Sequence, residues 1–217
     1  MTTATQNLVR IFSSADWASY YGEPEKVAEE IEDILNRPCP FNSRKQVLDT
    51  HFAFMGMPAI NGDPLTVAKW LELHPADGQP RFYFANNPWH AGQPHTDLVT
   101  LEPRLYITLR EIVPGSTYKA PDDQVAMLPE GYEMPTTIEE VTKSVLVYRK
   151  TGKRSNPNRY AACRERTIKT ATASAGDVSC VGFFDGHGLY VFSWDGDRDN
   201  YVGVGASRIL KLESSRT

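Results

Sequence analysis

The sequence predicts an α+β fold: a mostly antiparallel sheet in the C-terminal half, packed with helices from the N-terminal half. Three observations carry this. Helical periodicity and capping signals fall mainly before residue 155. Short β-like runs with Asp-Gly punctuation fall mainly after it, and the regular strand–helix alternation of a doubly wound sheet is absent. At 217 residues and 41% hydrophobic content, the chain can bury a core without disulfide or metal staples. The expected organisation is an N-terminal helical extension over residues 1–40 and a single α+β domain over 41–217.

After Gly22, "EPEKVAEEIEDILNRPCP" predicts a helix. Pro24 suits the first turn, Val27, Ile31, Ile34 and Leu35 recur at helical spacing, and Pro38 with Pro40 ends it. The acidic residues between them form a solvated face. Asp49 to Ile60 predicts a short strand. In "NGDPLTVAKWLELHP", Asp63 is the expected N-cap, Pro64 the first helical residue and Pro75 the stop, with Leu65, Ala68, Trp70 and Leu71 buried. Strands are expected at Arg81–Ala85 and within Pro103–Gly115, where Leu105, Ile107 and Leu109 share a face. The proline-rich residues 114–135 allow one turn of helix, between Asp122 and Leu128.

"TTIEEVTKSVLVYRKTG" carries the clearest helical signal. Thr136 with Glu139, or Thr137 with Glu140, fits a capping box, Ile138, Val141, Val145 and Tyr148 make an apolar stripe, and Gly152 terminates it. From Arg159 onward, "RYAACRERTIKTAT", "DVSCVGFF", "GLYVFSW", "NYVGVGAS" and "RILKL" predict an antiparallel meander. A four-residue loop at Asp185–Gly188 would set Phe184 opposite Leu189, Phe183 opposite Tyr190 and Val181 opposite Phe192. Both faces of that hairpin are then substantially apolar, so cover is expected on each side.

A net charge of −4 makes a nucleic-acid partner unexpected. The one basic cluster, Tyr148 to Arg159, is taken as a solvated helix end and loop, with an anion patch as the alternative. "MTTATQNLVRIF" lacks the basic-then-apolar order of a secretory signal, and no apolar run approaches bilayer length, so no membrane association is expected. Cys39, Cys163 and Cys180 form an odd set without CxxC spacing, which points to a reducing cytoplasm, although Cys163 and Cys180 could meet across neighbouring strands.

The candidate chemistry lies on two loops. In "WDGDRDNY", Asp195, Asp197 and Asp199 alternate like the opening of a calcium loop. The glycine and glutamate of an EF-hand are replaced by Asn200 and Ala206, however, and β-like runs flank the segment. A polar hairpin turn accounts for it most simply. Trp194, Asp197, Arg198, Asn200 and Tyr201, with Trp89 on the other loop, are the expected ligand-binding set, because rigid aromatic area is combined with directional polar groups. His90, His95 and Asp97 in "PWHAGQPHTD" are a second metal candidate, though H-x4-H-x-D lacks the rigid spacing of HExxH. No cofactor is expected, since no GxGxxG, P-loop, GxSxG or HExxH is present.

Helices first and a Tyr/Trp/Asn/Asp-rich β region last is a layout similar to that of C-type-lectin-like recognition domains. The Trp-Asn-Asp motif and paired cysteines of that group are absent, so the resemblance implies architecture and no residues. The functional expectation is a non-enzymatic recognition module that binds a protein or small ligand through these loops. The alternatives are a hydrolase assembled from His90, His95, Asp97 and Cys163, and a structural subunit of a larger assembly.

Overall fold

The protein is described by a computed structural model covering residues 11–22, 31–75, 78–83, 90–208 and 210. In chain order the first strands are β1 (Ile11–Phe12), β2 (Pro38–Cys39), β3 (Asn42–Gln46), β4 (His51–Met55), β5 (Ala59–Ile60), β6 (Asp63–Pro64) and β7 (Leu105–Leu109). The later strands are β8 (Tyr132–Glu133), β9 (Tyr160–Arg166), β10 (Val178–Gly182), β11 (Tyr190–Trp194), β12 (Val202–Val204) and β13 (Ser207–Arg208). A five-stranded sheet has the order β1-β4-β7-β13-β8, and a four-stranded sheet has the order β11-β10-β9-β12. Helices and mostly antiparallel sheets together make an α+β protein.

The long helix Thr137–Thr151 lies between the two sheets, packing on β9 and β10 on one side and on β1 and β4 on the other. Its ends are where the sequence places them. The Thr136 hydroxyl accepts a hydrogen bond from Glu139 N at 3.2 Å, and Gly152 closes the helix in the left-handed conformation. Every residue from Thr137 to Val147 is buried, so the predicted apolar stripe accounts for only part of the packing. The short helices Val67–Leu73 and Pro94–Asp97 cover more of its surface. Trp70 is fully buried and donates its indole N–H to Thr142 at 2.9 Å, which satisfies two polar groups inside the core.

Four sequence expectations are corrected. The helix after residue 60 begins at Val67, not at Pro64, and Thr66 caps it by accepting from Lys69 N. Asn61 and Gly62 both take positive φ and turn β5 into β6, which holds Asp63 and Pro64 extended. The terminal strands are not a simple meander. β12 returns parallel to β9, and β13 leaves for the other sheet, where it pairs with β7 and β8. At Gly203 of β12 an added Cβ would overlap Ser116 and Ile112, so close packing explains this glycine.

The register of the β10–β11 hairpin is also shifted by one residue: Val181 pairs with Val191, and Cys180 with Phe192. Phe183 sits at φ 43° and interrupts the strand before the Asp185–Gly188 turn, which absorbs the extra residue. Finally, Cys163 and Cys180 cannot pair. Cys180 stands opposite Ala162, so the neighbouring Cys163 points through the other face of the sheet, and all three thiols are free and buried.

Residues 11–22, expected within a helical extension, are seated in the main body. β1 pairs with β4, and Phe12 and Trp17 join the central hydrophobic cluster with Trp70. The predicted helix after Gly22 is seen as Ile31–Leu35, while its beginning at 23–30 lies outside the described residues, as do Phe84 and Ala85 of the Arg81–Ala85 strand. Phe82 forms a single parallel bridge to Leu189. No described helix is long and apolar enough to cross a membrane.

Candidate functional site

The side chains of the four-stranded sheet divide by alternation. Cys163, Val181 and Val191 face the long helix and join the central core. On the outer face, Ala162, Val178, Cys180, Trp194 and Val202 form a separate buried cluster with Met134 and Tyr160 packed against it. Beyond that cluster the face opens. Tyr83 is 43% exposed, Phe192 42% and Tyr201 47%, and Tyr160, Phe183 and Tyr190 are half-buried between them.

These six rings form one continuous surface. Tyr83 stacks on Tyr190 with centroids 4.1 Å apart, and Phe192 stacks on Tyr160 at 5.5 Å. Phe183 links Tyr160 (4.7 Å) to Tyr201 (5.6 Å). Gly182 lies in register between Tyr160 and Tyr190, so no side chain separates those two rings there. Both faces of the hairpin were expected to be covered. The inner face is covered by the long helix, whereas the outer face keeps an open aromatic portion.

The 195–201 loop forms one rim of this surface. Trp194 is buried, and its indole N–H donates to the Asp197 carbonyl at 2.7 Å, tying the loop to the sheet. Asp195 accepts from Asp197 N and Asp199 accepts from Tyr201 N, so both carboxylates act as turn-forming groups. Asp197 and Arg198 are exposed and Asn200 is half-exposed. Tyr201 is the loop residue that joins the ring cluster, with the Arg159 guanidinium 5.8 Å above its ring.

Asp185 and Asp199 act on the phenols of this face, while Arg159 and Arg198 stand at its Tyr201 side. Burial pushes the Tyr190 hydroxyl up to about 12, with Tyr83 and Asp185 adding to the shift. Burial also raises Tyr160, followed by Cys180, Tyr190, Asp185 and Asp199. Both phenols therefore remain neutral donors at neutral pH, beside the carboxylates of Asp185 and Asp199.

The remaining sequence candidates do not assemble. Among the described residues, no group of three or more His, Cys, Asp or Glu is placed to hold a metal ion. His90 and His95 are both buried. Burial pulls the His90 imidazole down to about 4, and lowers His95 in the same direction. Asp97 accepts from Gly92 N at 2.8 Å and from the Thr96 hydroxyl at 3.0 Å, so it organises its own loop. Trp89 lies outside the described residues. Cys163 is fully buried, and burial raises its thiol well above the ordinary cysteine range.

Sequence reasoning missed Tyr83, Tyr160, Phe183, Tyr190 and Phe192 as surface residues. The alternation of Tyr190, Phe192 and Trp194 was the available signal, but Tyr83 and Tyr160 reach the cluster only through tertiary folding. No protein-family model, curated protein or solved structure matches this chain.

Proposed function

We propose that the protein is a non-enzymatic recognition module whose aromatic sheet face binds a protein partner that presents arginine or lysine side chains. The observation that carries this is the continuous, partly exposed set of Tyr83, Tyr160, Phe183, Tyr190, Phe192 and Tyr201. Aromatic residues concentrate at the centres of protein interfaces, and polar residues form the rim. Here Asp185, Asp197, Arg198 and Asn200 supply that rim. Electron-rich ring faces favour a cationic partner group through cation–π attraction, and Asp185 at the Tyr190 end, away from Arg159 and Arg198, adds charge attraction.

The reducing cytoplasm is the location most compatible with three buried free thiols, and it is part of the same proposal. A C-type-lectin-like arrangement draws support only from the loop-bearing terminal sheet, and protein recognition does not require it.

Selection of a displayed random-peptide library on the immobilised protein tests this reading. Enriched peptides should carry Arg or Lys beside an apolar residue, and Phe192→Ser should weaken their binding by about tenfold or more. No enrichment over a blank support, or equal binding to the Phe192→Ser variant, would overturn it.

A further inference from the structure

A second concavity lies away from the aromatic face, where the β3 region, the segment after β7 and the C-terminal end of the long helix meet. Its volume is about 800 Å³, within the ~300–1,000 Å³ range of small-molecule pockets. Lys45, Arg110, Lys150, Lys153 and Arg154 line it, against only two acids, Asp49 and Glu111. Two of the cations are committed to the fold. Arg110 donates to the carbonyls of Asp49 and Thr50, and Lys150 is 2.7 Å from Asp16.

Lys45, Lys153 and Arg154 have no carboxylate partner among the described residues. At the helix end, the carbonyl of Tyr148 is taken by Gly152 N and that of Val147 by the Thr151 hydroxyl.

Two further groups sit beside the cleft. Ser155 is 3% exposed and lines the cleft, and its hydroxyl is enclosed with no hydrogen-bond partner among the described residues. The Nε of Arg154 is likewise buried without a partner, while the rings of Tyr148 and Phe184, 5.3 and 5.7 Å from its guanidinium carbon, hold the side chain in place. A buried hydroxyl left unsatisfied is costly. Phe41 and Phe52 provide apolar wall for the uncharged part of a ligand.

We infer that this cleft is a binding site for a small phosphorylated molecule of nucleotide size. A phosphate group suits a lining that carries Lys45, Lys153 and Arg154 better than a carboxylate does. It offers more acceptor oxygens and more negative charge to offset the cationic lining. The site is independent of the aromatic face, so the protein can hold a small anion and a protein partner at once.

Isothermal titration of the full chain with ADP, inorganic pyrophosphate and adenosine tests the inference. ADP and pyrophosphate should bind saturably and adenosine should not. Lys153→Gln should weaken ADP binding by about tenfold. Arg154→Gln should do at least as much, and Lys153, being exposed, keeps the test valid if Arg154→Gln unsettles Tyr148 and Phe184. Absence of binding by both phosphate compounds at millimolar concentration would overturn the site. So would unchanged ADP affinity in Lys153→Gln, or an equal loss in Lys169→Gln, which is remote from the cleft lining.

Discussion

Lys143→Met is expected to destabilise the protein by about 3–5 kcal/mol, because it leaves the Glu140 carboxylate buried without its counter-charge. Both side chains are essentially inaccessible to solvent. The Lys143 ammonium donates to Glu140 and, at 3.1 Å, to the carbonyl of Leu109 at the end of β7. Asn156 joins the same group by donating to Glu140 while accepting from Ile112 N at 3.0 Å. One ionic cluster therefore ties the long helix to the five-stranded sheet and to the loop that precedes β9. Urea denaturation at neutral pH measures the loss. The double variant Lys143→Met/Glu140→Leu should recover more than half of it, since replacing both partners removes the desolvated charge altogether. A cost under about 1 kcal/mol for Lys143→Met would show that Glu140 is not held as a charged group.

Mild acid should destabilise the protein steeply. Burial pulls His51, His74 and His90 from their ordinary 6.5 to about 4, and lowers His95 in the same direction. His51, His74 and His90 each contribute stability that is fully present above pH 6.5 and is lost as pH falls through about 4, because the unfolded chain takes up the proton first; His95 acts with the same sign. Glu139 acts with the opposite sign. Burial raises it to about 7 from 4.5, so its contribution is present below pH 4.5 and is lost as pH rises through 7. Glu140 is raised by burial as well, and opposes the histidines alongside it. Near pH 5 the histidine protons outnumber those of Glu139 and Glu140, so the unfolded state holds more protons and stability falls with pH. Urea midpoints at pH 7, 6 and 5 check this. The midpoint should fall most between pH 6 and 5, and a flat or rising midpoint over that step would contradict the buried neutral state of these histidines.

The parts of the fold set by local chemistry were legible. Thr136 and Gly152 delimit the long helix because cap and stop act within one turn of its ends. The strand at Leu105–Leu109 and the hairpin around Asp185–Gly188 follow from alternation and turn residues. What escaped depended on geometry that alternation does not encode. Positive φ at Phe183 moved the hairpin register by one residue, and the Asn61–Gly62 turn displaced a helix start by three. The path of β12 and β13 depends on partners distant in sequence. The loop from Trp194 to Tyr201 was read as a polar turn with Trp194 among its binding residues, whereas the structure buries Trp194 and hydrogen-bonds it to the Asp197 carbonyl. Tyr83 and Tyr160 share no local pattern with Tyr201, so only the folded sheet brings them together.

The central claim is that the outer rings of the four-stranded sheet exist for binding rather than for folding. The double variant Phe192→Ser/Tyr201→Ser tests it most directly when unfolding free energy and affinity for a selected basic peptide are measured on the same preparation. Both side chains are more than two-fifths exposed, so stability should stay within about 1 kcal/mol of the parent while peptide binding is lost. Destabilisation by about 3 kcal/mol or more, or peptide affinity retained at the parent value, would contradict the account.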